Sequence, residues 1–224
     1  MIVKIKRRHD SGSPAYWQSF NYDGPLHVPV SAVLDALNYT DDLFDVEGKS
    51  APRIRWECGC MQTMCGGCAM VINGVPALAC ATFVDEVKGK ELVLEPLSKF
   101  PVIADLIVDR SIIQEDLMKS KAFLDGIAAS DKRQHDQQYS VAKCLKCGLC
   151  LEVCPNYIPG DEFYGPAFAN ESYMVASQSN DKKAPIVNEY KKHFGAYCSK
   201  VTSCQSICPM NIETITSIMR MNRK

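Results

Sequence analysis

The sequence predicts an α+β protein in two parts, a strand-rich domain over residues 1–102 and an all-helical domain over 103–224. Three observations predict it. Short runs of strand composition fill the first hundred residues. Beyond Pro101, apolar residues recur at helical spacing. The twelve cysteines fall into three groups, one in the first part and two in the second.

The elements follow in order. "IVKIKRR" (2–8) and "AYWQSFNY" (15–22) have strand composition and are split by the turn-like "HDSGSP". "SAVLDALNYT" (31–40) brings Val33, Leu34, Ala36 and Leu37 together, so a short amphipathic helix is expected there, capped by Ser31. Residues 69–74 and 75–84 form a hairpin that turns at Asn73-Gly74, and "ELVLEPL" (91–97) is a further strand. Residues 102–124 have helical spacing, with Ile103, Leu106, Ile107, Ile112, Ile113 and Leu117 as core. Residues 128–140 form a polar connection. Helices are expected over 161–179, 184–195 and 211–224. In the last, Ile212, Ile215, Ile218 and Met219 share a face and Asn211 is the cap.

Composition narrows the function classes. A net charge of −1 excludes a general nucleic-acid binder and a polybasic membrane protein. A hydrophobic content of 46% excludes a disordered chain. No apolar run reaches the ~18 residues a membrane span needs. The start, "MIVKIKRRHD", alternates like a strand and lacks the apolar core of a secretory signal. A reducing compartment follows, and there twelve cysteines point to metal rather than to disulfides.

Cys60, Cys65 and Cys68 give C-x4-C-x2-C, and Cys80 follows after eleven intervening residues. This is the plant-type 2Fe–2S spacing. A loop supplies three thiolates and a strand end the fourth. Gly66 and Gly67 let the backbone approach and turn N–H groups toward the sulfides. A structural zinc site is the alternative, although zinc favours separated C-x2-C pairs. Cys58 belongs to no spacing set and is expected to be a small, partly buried side chain.

"CLKCGLCLEVCP" (144–155) is C-x2-C-x2-C-x3-C-P, the bacterial ferredoxin run whose fourth cysteine serves the other cluster. "CSKVTSCQSICP" (198–209) repeats it with one change. The crossover rule puts Cys144, Cys147, Cys150 and Cys208 on a 4Fe–4S cluster. It leaves Cys154, Cys198 and Cys204 for the second cluster, where Val201 stands at the fourth position. A valine cannot bind iron, so a 3Fe–4S cluster is expected. The alternative is a 4Fe–4S cluster with water or hydroxide on one iron, which an apolar valine disfavours.

With these motifs in place, the chain resembles the iron–sulfur subunit of succinate dehydrogenases and quinol:fumarate reductases over about residues 1–222. The resemblance implies a β-grasp 2Fe–2S domain followed by an α-helical two-cluster ferredoxin-like domain. It implies a flavoprotein partner carrying FAD and the dicarboxylate site, transmembrane anchor subunits, and a quinone at the anchor interface. Electrons would pass from FAD through 2Fe–2S, 4Fe–4S and 3Fe–4S to the quinone, or in reverse. The chain would lie peripherally on the cytoplasmic face of the inner membrane, and would not be catalytic alone. The quinone vicinity would include Pro155, Asn156, Ser199 and Met210. No tryptophan pair follows the first Cys-Pro, Met210 replaces a frequent lysine, and Ser199 a frequent histidine. The "CP…GPA" shape looks more like the menaquinone-linked members.

Competing readings are a stand-alone ferredoxin-like carrier and a subunit of a thiol-linked reductase. Three clusters of different type argue for a fixed wire, and Val201 argues against two full 4Fe–4S sites. No G-x-G-x-x-G flavin motif is present. Tyr157 and Tyr164 read as packing residues, and Lys6, Arg7 and Arg8 as a solvated strand end. His9, His27, His135 and His193 have no metal-like spacing.

Overall fold

Val3 and Ile5 are fully buried along one face of β1 (Ile2–Arg7), and this alternation sets the first layer of the computed structural model. Residues 1–124, 126–129, 131–179 and 183–223 are described. Ser130, in the expected polar connection, and Lys224, at the end of the expected last helix, lie outside them. The chain divides into Met1–Asp109 and Arg110–Lys224. The division expected at 102/103 falls inside a strand of the first unit.

In the first unit, β1 pairs antiparallel with β2 (Tyr16–Asn21). β3 (Leu43–Phe44) and β4 (Ser50–Ala51) form a small ribbon. β5 (Ala69–Ile72) and β6 (Val75–Leu78) make the expected hairpin through Asn73-Gly74, both at positive φ. β7 (Glu91–Glu95) lies parallel to β1 and antiparallel to β5, closing a five-stranded sheet in the order β2-β1-β7-β5-β6. Helix α1 (Val30–Asn38) buries Val30, Val33 and Leu34 completely. Each such side chain contributes about 1.5–3 kcal/mol.

Ser31 is not the cap of α1. Pro29 precedes the helix, and the first N–H groups donate to backbone, Val30 to Thr82 O at 2.9 Å and Ser31 to Ala79 O at 3.1 Å. A distant loop does what a capping side chain would do. The expected helix over 102–124 is also corrected. Its first part is a hairpin, β8 (Val102–Ala104) and β9 (Ile107–Val108), and only α2 (Ser111–Lys119) is helical. Asp105 turns the chain at φ 44 and is 1% exposed, while Ile103, expected in the core, is half exposed.

Asp105 explains a third correction. Arg7 is not a solvated strand end but 1% exposed, on the same face as Val3 and Ile5. Its Nη2 lies 2.9 Å from Asp105 Oδ2 and its Nε 3.2 Å from Oδ1. Its remaining N–H groups donate to Pro52 O, Arg53 O and Gln18 Oε1. Removing one partner of such a pair costs about 3–5 kcal/mol.

In the second unit every described element is a helix. These are α2, α3 (His135–Ala142), α4 (Leu149–Glu152), α5 (Gly165–Gln178), α6 (Lys183–Tyr190), α7 (Ser203–Ser206) and α8 (Thr214–Met221); a π-helical turn, Lys191–Gly195, follows α6. The expected polar connection thus contains α3. Its inward face hides in the sequence because Gln137 is polar; it is buried and donates to Ser217 Oγ at 2.9 Å and Glu213 O at 3.0 Å. Helix α5 is buried on most of its surface and packs against α2, α3, α4, α6 and α8. Gly165 opens it at φ 78, and a Cβ there would lie 2.3 Å from Leu151. Asn211 does not cap α8; Glu213 precedes it. Met219 is exposed, and Thr214, Ser217, Ile218 and Met221 form the inner face. His193, given no role from sequence, is buried. It stacks on Tyr164 at 3.9 Å and its Nδ1 donates to Glu162 O at 2.8 Å. No helix among the described residues is long and apolar enough to cross a membrane.

Candidate metal centres

The first centre rests on the β5–β6 register. Ala69 faces Leu78, so the next pair outward is Cys68 and Ala79, and Ala79 N–H donates to Cys68 O at 3.1 Å. Cys80 follows at once. Its N–H donates to Cys68 Sγ at 3.5 Å, and the two sulfurs are 3.3 Å apart, close enough to share one iron. The Ala79 and Thr82 carbonyls that cap α1 hold Cys80 from both sides. The approach to the loop is held as well. Asn38 grips both backbone groups of Ile54, and Asp105 Oδ2 accepts from Arg55 N–H at 2.9 Å.

The loop itself is wound by left-handed residues, Met61 (φ 55), Thr63 (φ 61) and Gly66 (φ 75). The winding turns N–H groups onto sulfur: Gln62 and Met64 donate to Cys60 Sγ at 3.3 and 3.2 Å, and Gly67 to Cys65 Sγ at 3.4 Å. The Gln62 and Met64 N–H groups hold the Cys60 thiol down, to about 7, so a metal-ready thiolate forms easily there. Burial pushes Cys68 up to about 12. Thr63 Oγ1 lies 3.9 Å from Cys80 Sγ, a contact the sequence did not flag. Cys58, expected to be partly buried, is instead exposed and meets Met61 Sδ at 3.5 Å.

The second and third groups lie on a structural repeat. Position by position, at an offset of 54 residues (198 less 144), the loops wind alike. Lys146 and Lys200 are left-handed, at φ 53 and 59; Gly148 and Thr202 are too, at φ 86 and 60. Each loop then enters a four-residue helix, α4 or α7, that ends two residues before the last cysteine, whose N–H donates back into it: Cys154 to Leu151 O and Cys208 to Gln205 O, both 3.2 Å. Val201 occupies the place of Cys147 and is 55% exposed.

Cys144, Cys147, Cys150 and Cys208 line one cavity, which Cys204 also touches. Burial drives the Cys150 thiol well above its ordinary value, and Cys144, Cys147, Cys204 and Cys208 add to it. Burial pushes Cys147 up to about 11, with Cys144 and Cys208 adding. Cys204 is also pushed up to about 11 by burial, but its neighbours are Cys154 and Cys198. The last cysteine of each run therefore sits with the other run. Among the described residues, no three His, Cys, Asp or Glu side chains close on a single ion. A crowd of desolvated thiols around a cavity suits a group that takes up thiolate charge, as a metal–sulfur cluster does, and the residues fit it. Arg110 donates to Cys147 O, and Lys146 pairs with Glu171 beside Cys144.

Asn156 and Ser199 come together, Ser199 Oγ to Asn156 Oδ1 at 3.4 Å, and Asn156 Nδ2 donates to Tyr197 O. Pro155 is exposed beside them. Met210 is elsewhere, lining the cavity of Cys144 and Cys208. Asn170, on the same cavity wall, carried no signal in the sequence.

Residues 2–115 match the family model described as "2Fe-2S iron-sulfur cluster binding domain", and residues 143–211 the one described as "4Fe-4S double cluster binding domain". The succinate dehydrogenase iron-sulfur subunit of Bacillus subtilis is 29% identical, covering 90% of this chain and 85% of its own. The fumarate reductase iron-sulfur subunit of Mycobacterium tuberculosis is 32% identical, covering 84% and 78%. A chain of the Mycobacterium smegmatis Sdh1 complex in the apo form shares the fold, with a TM-score of 0.73 at 23% identity over 98% of this chain and 94% of that one.

Proposed function

The chain belongs to the family of iron–sulfur subunits of succinate dehydrogenase and fumarate reductase, and from that premise we propose that it is the electron relay between FAD of a flavoprotein subunit and a quinone. Cys60, Cys65, Cys68 and Cys80 hold a 2Fe–2S cluster. Cys144, Cys147, Cys150 and Cys208 hold a 4Fe–4S cluster, and Cys154, Cys198 and Cys204 a 3Fe–4S cluster. When bound, each cluster supplies a one-electron redox couple. The chain's own residues supply thiolates, N–H donors to sulfur, and burial that limits water. The mixed sheet with α1 supports the reading of a β-grasp domain, and the helices of the second unit that of an all-α ferredoxin-like domain.

The observation that carries the reading is the exchange between the runs, with Cys208 among the first set and Cys154 beside Cys198 and Cys204. Such an exchange serves two clusters at once and has no use in separate zinc knuckles. Val201, apolar and half exposed at the repeat's missing thiol, supports three irons at the second cluster. Asn156 and Ser199, beside Cys198, form the quinone-facing end, where menaquinone is the proposed acceptor or donor. The chain docks peripherally on transmembrane anchor subunits at the cytoplasmic face.

The test is reconstitution in steps. The cluster-loaded chain alone is expected to leave succinate and fumarate unchanged, because it carries no substrate site. Adding the flavoprotein should give dye-linked activity, and adding the anchor quinone-linked activity. Turnover by the chain alone would overturn the proposal.

A further inference from the structure

Asn170, on α5, is 3% exposed and lines the cavity that Cys144, Cys147, Cys150 and Cys208 share. Its amide makes one hydrogen bond, 3.0 Å to Thr214 Oγ1 on α8. Its other amide atom, placed as Oδ1, is buried without a partner. A lone buried acceptor on the wall of a cavity whose thiols are anionic when they hold metal is electrostatically unfavourable. The two ends of the amide have the same shape, and a threonine hydroxyl can donate as well as accept. Turning the amide over therefore keeps the bond to Thr214, with Oγ1–H now donating to Oδ1. It also replaces the orphaned acceptor with Nδ2 and its hydrogens.

We propose that Asn170 adopts this orientation and donates an N–H···S hydrogen bond to the cluster held by these four cysteines. The role rests on the 4Fe–4S assignment made above. Thr214 is a positioning residue, because its hydroxyl fixes which end of the amide faces the sulfurs. Hydrogen bonds to cluster sulfur set reduction potential. A donor favours the reduced cluster, which carries one more negative charge, so Asn170 raises the potential of this centre. Asn170 lines the cavity of Cys144, Cys147, Cys150 and Cys208, so the effect belongs to the four-iron centre.

The test is a potentiometric paramagnetic-resonance titration of the assembled complex. In Asn170→Leu, of similar volume but without a donor, the midpoint of the 4Fe–4S signal should fall, while the other two centres keep theirs. Thr214→Val, which leaves the amide but frees it, should lower the same midpoint by less. An unchanged midpoint in an Asn170→Leu complex with full iron content would overturn the role. If that variant fails to assemble, the wild-type complex with 15N in its asparagine side-chain amides decides. Pulsed measurements should find a hyperfine coupling between the reduced four-iron centre and such a nitrogen, and its absence overturns the role. A wild-type complex with no four-iron centre at all, read from iron content and spectra, would overturn the cluster assignment and this role with it.

Discussion

The loops at 144–155 and 198–209 have the same backbone and different chemistry. Both wind through two left-handed residues, and both close the following helix with matched bonds, Val153 to Leu149 O at 3.2 Å and Ile207 to Ser203 O at 3.1 Å. They differ where side chains meet the proposed clusters. Cys147 becomes Val201, and Gly148 becomes Thr202. Lys146 is paired with Glu171, while Lys200 is exposed. The difference teaches that the loop's winding does not depend on its middle thiol. On the proposed assignment, that one side chain sets the centre's iron count while the fold stays.

The largest expected effects break the exchange between the loops. Cys208→Ser lies in the second run but should abolish the four-iron signal. Cys154→Ser lies in the first run but should abolish the three-iron signal. Resonance spectra of the two assembled variants check this, and losses confined to each residue's own run would dismiss the crossover. Next is Val201→Cys, which restores the missing thiol. It should convert the terminal centre to 4Fe–4S and lower its potential, because cluster type sets the potential. A drop of about 60 mV changes the one-electron equilibrium with the quinone about tenfold, so quinone-linked turnover should fall, with dye-linked turnover little changed.

Smaller effects sharpen the comparison. Gly165→Ala drives a Cβ into Leu151 at a left-handed position, costing about 3 kcal/mol. It acts on the first loop, so the four-iron signal should weaken first, as thermal unfolding followed by cluster spectra would show. The smallest is the Gly148 and Thr202 pair. A β-branched residue at φ 60 is strained. Thr202→Gly should therefore stabilise the second unit by up to about 1 kcal/mol, while Gly148→Thr should cost about 2 kcal/mol. Denaturant midpoints of the two variants test the opposite signs.

The cysteine groups were legible because ligand spacing is local and leaves a residue-level pattern. The β5–β6 hairpin was legible for the same reason, through Asn73-Gly74. What escaped depended on distant partners. Arg7 continues the alternation of Val3 and Ile5, so its burial was within reach of the pattern. Its charge argued for solvent, and the compensating Asp105 lies 98 residues away. The hairpin at 102–108 reads as helix because Leu106 and Ile107 fit helical spacing, and nothing local announces the turn at Asp105. Helix α3 was hidden because its inward face uses Gln137, whose partners are on α8. Asn170 carried no signal, since a polar residue inside a helix becomes notable only beside a cavity lined with sulfur.

The most direct measurement is the resonance spectrum and iron content of the air-oxidised wild-type complex. The expected result is the near-isotropic signal of an oxidised 3Fe–4S centre, with about seven irons in the second unit. Absence of that signal, with about eight irons in the second unit, would mean that Val201 faces a complete four-iron cluster and that the two loops do not differ as proposed.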